Sequence, residues 1–348
     1  MEDVNILLNK GVELGHFPGA SYAIVYANGH IDYDVVGYRQ LFPKKVKNNG
    51  SEIYDCASLT KVISTTTMIM KLIEEGKLSL DTKVSSVLPQ FKHQDISVYH
   101  LLTHSSGLPA DIKRAKALVN RTDVLEKIFS YDLINHTCMN IVYSDIGYIL
   151  LGLMIETITQ KTLNEYAKEV VFDPLGMDDT SYQPDKNRCA PTEYRDDDVY
   201  QGWLQGLVHD EKSFAMGGLA GHAGMFSTTK DIAKFILSIL NNDGKVLQKK
   251  SVNSLFPVQI SDERSDGTVL VRSLGWNKPT PKGTAGDMVD FDNTILHTGF
   301  TGCNVWIERS KGVGFVMLSN AVHPKREGNR IIQYRNTIGN LILSPKGE

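Results

Sequence analysis

The 348-residue chain has little that would tie it to a bilayer, a nucleic acid or a disulfide framework. No stretch approaches the ~18 consecutive apolar residues that span a membrane, so no transmembrane segment is expected. The formal net charge is -3, from 37 Lys and Arg against 40 Asp and Glu. Without a basic excess there is no electrostatic footprint for nucleic acid or an anionic membrane surface, and small molecules or peptides are the expected partners. Cys56, Cys138, Cys189 and Cys303 lie far apart with no C-x-x-C pair. That spacing argues against a zinc knuckle or a disulfide scaffold and reads as four reduced thiols. The opening MEDVNILLNKGVELGHFPGA lacks a basic stretch followed by an apolar one and reads as an amphipathic helix. The expected compartment is therefore the cytoplasm, unless a leader has been removed. Internal repeats and low-complexity linkers are missing too.

What is present fits one large or two interleaved domains, and two are expected. Residues 20–38 hold two β-rich runs around Asn28-Gly29, a hairpin signature. A helix follows Ser58 and ends at Gly76, suited to the left-handed position after a last turn. Helical patterning then dominates to about residue 265, at 122–130, 146–159, 163–171 and 229–241, with Thr228 and Asp231 resembling a capping box. Strand-like runs return at 268–275, 293–298, 303–308 and 312–319, before a closing helix at 328–342. Strands at both ends with helices between them predict an α+β fold. One antiparallel sheet is assembled from both termini, flanked by the first and last helices, with an all-helical domain inserted. The expected boundaries are 1–77 with 265–348 for the sheet domain and 78–264 for the helical one, with the active site in the cleft between them.

The stretch DCASLTKVIS, residues 55–64, sets a lysine in an apolar run, where its charge is costly to desolvate. Residues three apart share a helix face, so the amine of Lys61 can reach the Ser58 hydroxyl. A serine is a weak nucleophile until a base takes its proton, and a lysine desolvated by apolar neighbours can have its pKa lowered enough to do so. The helix start adds free N–H groups for a developing oxyanion. S-x-x-K also arises by chance, and lysines at helix starts usually snorkel to solvent, so the motif needs company. Tyr143-Ser144-Asp145 stands before an apolar helix, where the tyrosine could shuttle a proton and Asp145 orient Lys61. A helix cap beside a core aromatic would fit the same residues. His297-Thr298-Gly299 ends one strand and leads to another. There Gly299 admits a substrate backbone and Phe300 offers an N–H, or a glycine hairpin simply turns.

In order, a serine, a lysine three later, a tyrosine about eighty residues on and a polar-Thr-Gly on a late strand resemble the serine β-lactamase and penicillin-binding-protein superfamily. The tyrosine motif, in place of S-D-N, is similar to the branch with class C β-lactamases, DD-peptidases and related esterases. FPGA at 17–20, LLTHSSGLP at 101–109, FDPLGM at 172–177, GHAGMFST at 221–228 and VMLSN at 316–320 look like further landmarks, over nearly the whole chain. The resemblance implies a β-lactamase/transpeptidase-like fold and acyl-enzyme chemistry. Ser58 would be the nucleophile, Lys61 and Tyr143 the coupled acid and base, and the N–H groups of Ser58 and Phe300 the oxyanion hole. Asp145, His297, Thr298, Gly299, Phe300 and His222 would bind substrate. No cofactor and no metal are implied.

Two departures bear on substrate. Asp145 stands where asparagine is usual, and His297, where lysine is usual, is cationic only part of the time near neutrality. Both weaken an anchor for a substrate carboxylate. The expected enzyme is a serine hydrolase of esters or of amides in peptidoglycan-derived peptides, of carboxypeptidase or amidase type, ahead of efficient β-lactam hydrolysis. Residues 206–224, GLVHDEKSFAMGGLAGHAG, resemble the branch with penicillin-binding-protein-like carboxypeptidases and muropeptide amidases. His209, Asp210, Glu211 and His222 there lack H-E-x-x-H spacing or a thiolate pair and read as rim residues of the cleft, not zinc ligands. Arg326 and Arg330 could meet a substrate anion or simply be solvated. The alternative enzyme is a β-lactamase of modest activity. The alternative of another class is a non-catalytic substrate- or β-lactam-binding module on the same fold. The sequence leaves the oligomeric state open.

Overall fold

The computed structural model describes residues 1–345. Its centre is a six-stranded antiparallel sheet, in the order Thr294–Thr298, Asn304–Glu308, Val313–Ser319, Gly19–Tyr26, Ile31–Gln40 and Val46–Lys47. The early and late parts of the chain meet in the middle, where Ala20 opposes Ser319 and Tyr26 opposes Val313.

Alternation along these strands makes two faces. Tyr22, Ile24, Trp306, Phe315 and Met317 pack with Val4 and Leu8 of helix Glu2–Glu13 and with Tyr334 and Ile338 of helix Ile332–Leu343. Their neighbours Ala23, Val25, Val305, Ile307, Val316 and Leu318 point the other way, into a larger core with Ile232, Phe235 and Ile236. Those three belong to helix Thr229–Asn241, from the segment read as the helical insertion, which lies directly on the sheet. Gly314 permits that approach, since a Cβ there would stand 2.3 Å from the Ile236 Cγ2.

The intervening segment is mostly helical and also carries strands. Tyr194–Asp196 pairs with Gln201–Trp203, and Phe226–Ser227 pairs with Tyr54–Asp55 just ahead of Ser58. The run expected as a strand over 268–275 is shorter, Val269–Arg272, and pairs with Ile260–Glu263 in a hairpin of its own. Most of that hairpin is exposed or half-buried, so it has no apolar face to add to the central sheet.

Helix Asp145–Thr159 is buried on every residue from Ile146 to Ile155. A helix apolar all round is a core helix. No helix among the described residues is long and apolar enough to cross a membrane. The loop carrying Gly221 runs against this helix so closely that a Cβ on Gly221 would stand 2.1 Å from the Tyr148 carbonyl oxygen. Gly221→Ala should therefore destabilise the fold by about 1–3 kcal/mol, the cost of overpacking a tight contact. An unchanged midpoint of denaturant unfolding would show that the loop yields freely.

Candidate active site

Ser58 follows Ala57, whose φ of 45° is left-handed. A non-glycine residue holds that conformation at a cost of about 1–3 kcal/mol, so its surroundings must enforce it. Asp55 does so. Its Oδ1 accepts the Ala57 N–H at 2.8 Å, its Oδ2 accepts the His209 N–H at 2.7 Å, and its carbonyl accepts the Thr301 hydroxyl at 2.8 Å. One buried residue thus fixes the turn and ties it to two distant segments, one through its carboxylate and one through its backbone carbonyl. Beyond Ser58 the helix widens into a π turn over Lys61–Thr66. The hydroxyls of Thr66 and Thr67 donate to the carbonyls of Lys61 and Val62 there, at 2.7 and 3.1 Å. Such turns recur at functional sites.

Lys61 is fully buried, and its Nζ lies 2.9 Å from Ser58 Oγ, 3.0 Å from the His222 carbonyl and 2.8 Å from Asp145 Oδ1. Burial presses its pKa down, but Asp145 and then Tyr143 outweigh burial and the net shift is upward. The expectation of a lowered pKa is therefore corrected. The resting Lys61 is an ammonium that donates to Ser58, because its nearest partner is a carboxylate rather than an apolar wall.

The Tyr143 ring centroid is 4.9 Å from Lys61 Nζ, 4.6 Å from the His104 ring and 6.1 Å from the His297 ring. His104, from LLTHSSGLP, accepts the Ser144 N–H on Nδ1 at 3.0 Å. Ser144 in turn caps helix Asp145–Thr159, its hydroxyl accepting the Gly147 N–H at 3.3 Å. The capping explanation and the site explanation of this motif thus coexist.

On the opposite wall, His297 Nδ1 faces the Thr298 carbonyl at 2.9 Å and must donate to it, leaving Nε2 as a buried lone pair without a partner. Burial, then the charges of Lys61 and Arg272, push its pKa well down. His297 is neutral throughout the neutral range, not partly cationic. Gly299 is required here, since a Cβ would stand 2.7 Å from the Cys56 carbonyl oxygen. Among the described residues no protein acceptor engages the N–H of Ser58 or of Phe300. The Phe300 ring is exposed and stacks on His209 at 5.5 Å.

Ser58, Tyr143, Asp145, His297, Thr298, Gly299 and Phe300 line one cleft of about 650 Å³, with Lys61 beneath its floor. His222 is off this wall. Its ring is buried against Asp210 at 2.7 Å, and what reaches Lys61 is its backbone carbonyl. His209, Asp210 and Glu211 do line the cleft, and the His209 ring there is buried and paired with Glu193 at 2.9 Å. Arg326 is held by Glu193 and Glu211 at 2.7 and 2.9 Å and so is not free for a substrate anion, while Arg330 is exposed. Asp145, Asp210 and His222 converge closely enough to hold a cation. The Lys212 ammonium already lies 3.2 Å from Asp145 and 3.0 Å from Asp210 and supplies that charge. Sequence reasoning missed Lys212, Asp55 and Arg272. Lys212 in DEKSFA looks like a solvated lysine, and Arg272 ends a hairpin strand on a remote part of the chain.

A sequence model of the family described as Beta-lactamase matches residues 6–337. The chain belongs to the beta-lactamase family. It is similar to the N-acetylmuramyl-L-alanine amidase of Bacillus subtilis (strain 168), 30% identical over 365 aligned positions that cover 93% of this chain and 81% of the relative. A second relative, from Escherichia coli (strain K12), carries the provisional name D-alanyl-D-alanine carboxypeptidase. It is 30% identical over 321 positions, covering 81% of this chain and 72% of its own. Among solved structures, the octameric penicillin-binding protein homologue from Pyrococcus abyssi superposes with a TM-score of 0.77 at 21% identity, covering 98% of this chain and 77% of that one. This likeness shows the fold, which is of the β-lactamase/transpeptidase type, and the family is one of serine hydrolases.

In this β-lactamase-family cleft the half-buried carboxylates of Asp145 and Asp210 contribute to acid stability. Burial would raise the pKa of Asp145 and Asp210, but the partners around them hold both below the ordinary 3.8, Lys61 first for Asp145 and His222 first for Asp210. The folded state therefore binds these protons less readily than the unfolded chain. The stability they contribute is present above the unfolded pKa and is lost as pH falls through the folded one. The melting temperature should drop from about pH 4 downward. Asp210→Asn, less stable at neutral pH, should lose less over that range, whereas parallel slopes for the two proteins would assign the acid loss to other groups.

Proposed function

We propose that the protein is a serine hydrolase that forms an acyl-enzyme on Ser58, acting on peptidoglycan-derived peptides that end in a free carboxylate, with small esters taking the same route. Ser58 Oγ attacks the carbonyl carbon, and its proton passes to the Lys61–Tyr143 pair and on to the leaving group. Because Lys61 rests as an ammonium, one proton must leave that pair before it can accept the next. The unengaged N–H groups of Ser58 and Phe300 are suited to the developing oxyanion. Water then attacks the ester on Ser58, releasing the acid.

One observation carries the substrate class. Arg272 is 8% exposed, lines the same cleft as Ser58 and stands 5.5 Å from the Tyr143 ring, and its Nη1 has no partner. Among the charges felt by Arg272 there is no carboxylate. A guanidinium stays charged, and a buried charge without a counterion is costly by several kcal/mol. A substrate carboxylate would answer it. The anchor judged weak from Asp145 and His297 thus passes to a cation that the sequence left unnoticed. The names of the amidase and carboxypeptidase relatives agree with this class. A β-lactam also carries a carboxylate, so modest β-lactam hydrolysis fits the same cleft. Contact between Ser58 and Lys61 speaks against a non-catalytic module.

Incubation with a fluorophosphonate followed by intact mass should give a single adduct, absent in Ser58→Ala together with all turnover. An adduct of undiminished yield in that variant would place the nucleophile elsewhere. Arg272→Gln should lower kcat/KM for a peptide ending in D-alanine by about 10- to 100-fold, the scale of one charge-assisted contact, and leave a neutral ester within about 3-fold. Equal losses on both substrates would make Arg272 structural and remove the carboxylate assignment.

A further inference from the structure

The mechanism above leaves the buried cation Lys212 without a task. The Lys212 side chain is 3% exposed, and its ammonium lies 2.8 Å from Asp111 Oδ1, 3.0 Å from Asp210 Oδ2 and 3.2 Å from Asp145 Oδ2. The other oxygen of Asp145 is the one on Lys61, at 2.8 Å. The other oxygen of Asp210 meets His222 Nε2 at 2.7 Å, and the His222 carbonyl returns to Lys61 at 3.0 Å. Lys61, Asp145, Lys212, Asp210 and His222 therefore form a closed ring. An apolar side chain of similar volume would fill the same space without the cost of desolvation, so the charge at this place asks for a reason.

We propose that Lys212 is a positioning residue of the hydrolase. By taking one oxygen of Asp145 it turns the other onto Lys61, and by dividing that carboxylate's charge between two ammoniums it keeps the Lys61–Tyr143 pair able to release its proton. The inference rests on the acyl-enzyme reading of Ser58, and the test below separates the two.

The sign follows from the charges around the pair. Asp145 faces Lys61 from its helix start, and Tyr148 from the same helix lies 5.8 Å away. From the 206–224 segment the His222 carbonyl meets Lys61 while Lys212 stands behind Asp145 with Asp210 beside it, and from the 101–111 segment the His104 ring meets Tyr143 while Asp111 meets Lys212. Arg272 and His297 stand on the strand side. Without Lys212, Asp111, Asp145 and Asp210 remain with no second ammonium among them. The site then holds its proton more tightly, and the same direction follows whether Lys61 or Tyr143 takes the proton of Ser58. Arg272 and His297 are untouched by the change.

The test is the rate of Ser58 labelling by a fluorophosphonate from about pH 5 to about pH 10, for the wild type, Lys212→Met, Lys212→Arg and Asp111→Asn. Lys212→Met should move the rising acid limb up by about one pH unit, read as a reaction about tenfold slower at each pH on that limb. Lys212→Arg should restore the limb. Asp111→Asn, at a side chain 56% exposed, frees more of the Lys212 charge for Asp145 and should move it the opposite way. An unmoved limb in a folded Lys212→Met protein, a loss that Lys212→Arg does not restore, or shifts of the same sign in Lys212→Met and Asp111→Asn each overturn the proposal. If Lys212→Met does not fold, the limb of Asp111→Asn decides, and an unmoved one overturns it. No labelling of the wild type at any pH overturns the acyl-enzyme reading and this inference with it. Labelling of the wild type with an unmoved limb overturns this inference alone.

Discussion

A fully buried ammonium must be answered within the protein, and the pair between Lys61 and Asp145 at 2.8 Å answers it. Left without its partner, the Lys61 charge would cost about 3–5 kcal/mol, so much of the surrounding architecture serves to bring the carboxylate there. Ser144 caps the core helix at the residue before Asp145, and His104 holds the Ser144 amide. Gly221 lets the next carbonyl, that of His222, reach the same ammonium across the back of the helix.

The Ser58 side of the cleft depends on a second buried carboxylate. The Asp55 carboxylate binds the turn at Ala57 and the backbone of His209, and its backbone carbonyl accepts the Thr301 hydroxyl, so the three strips of chain that border Ser58 are referenced to one residue. Gly299 then brings the late strand against Cys56 and Ala57, closer than any side chain would allow. The cleft is in this way assembled from close backbone approaches, each of which fixes the next, rather than from long side chains reaching inward.

Charge is sorted across the cleft. The helical side carries Asp111, Asp145 and Asp210 around two lysines, while the strand side carries Arg272 and Arg335, each with a guanidinium nitrogen that has no partner. Neutral His297 lies between them. Anionic groups meet complementary potential on the strand side.

The sequence by itself determined the parts whose cause is local. Alternation marked the strands at 293–298, 303–308 and 312–319, the Asn28-Gly29 turn marked the first hairpin, and the helix repeat put Lys61 beside Ser58. The order of motifs also pointed to the family. Only the tertiary structure decided the surroundings that shift the pKa of Lys61 up and that of His297 down, the placement of Lys212 and Arg272 at the cleft, and the separate hairpin of Ile260–Glu263 with Val269–Arg272. The reason is that a pKa or a partner is set by charges close in space, and these come from remote stretches of chain. The carbonyl that meets Lys61 lies 161 residues away. A spacing rule reads the face of one helix, whereas burial and counterion are properties of several elements packed together.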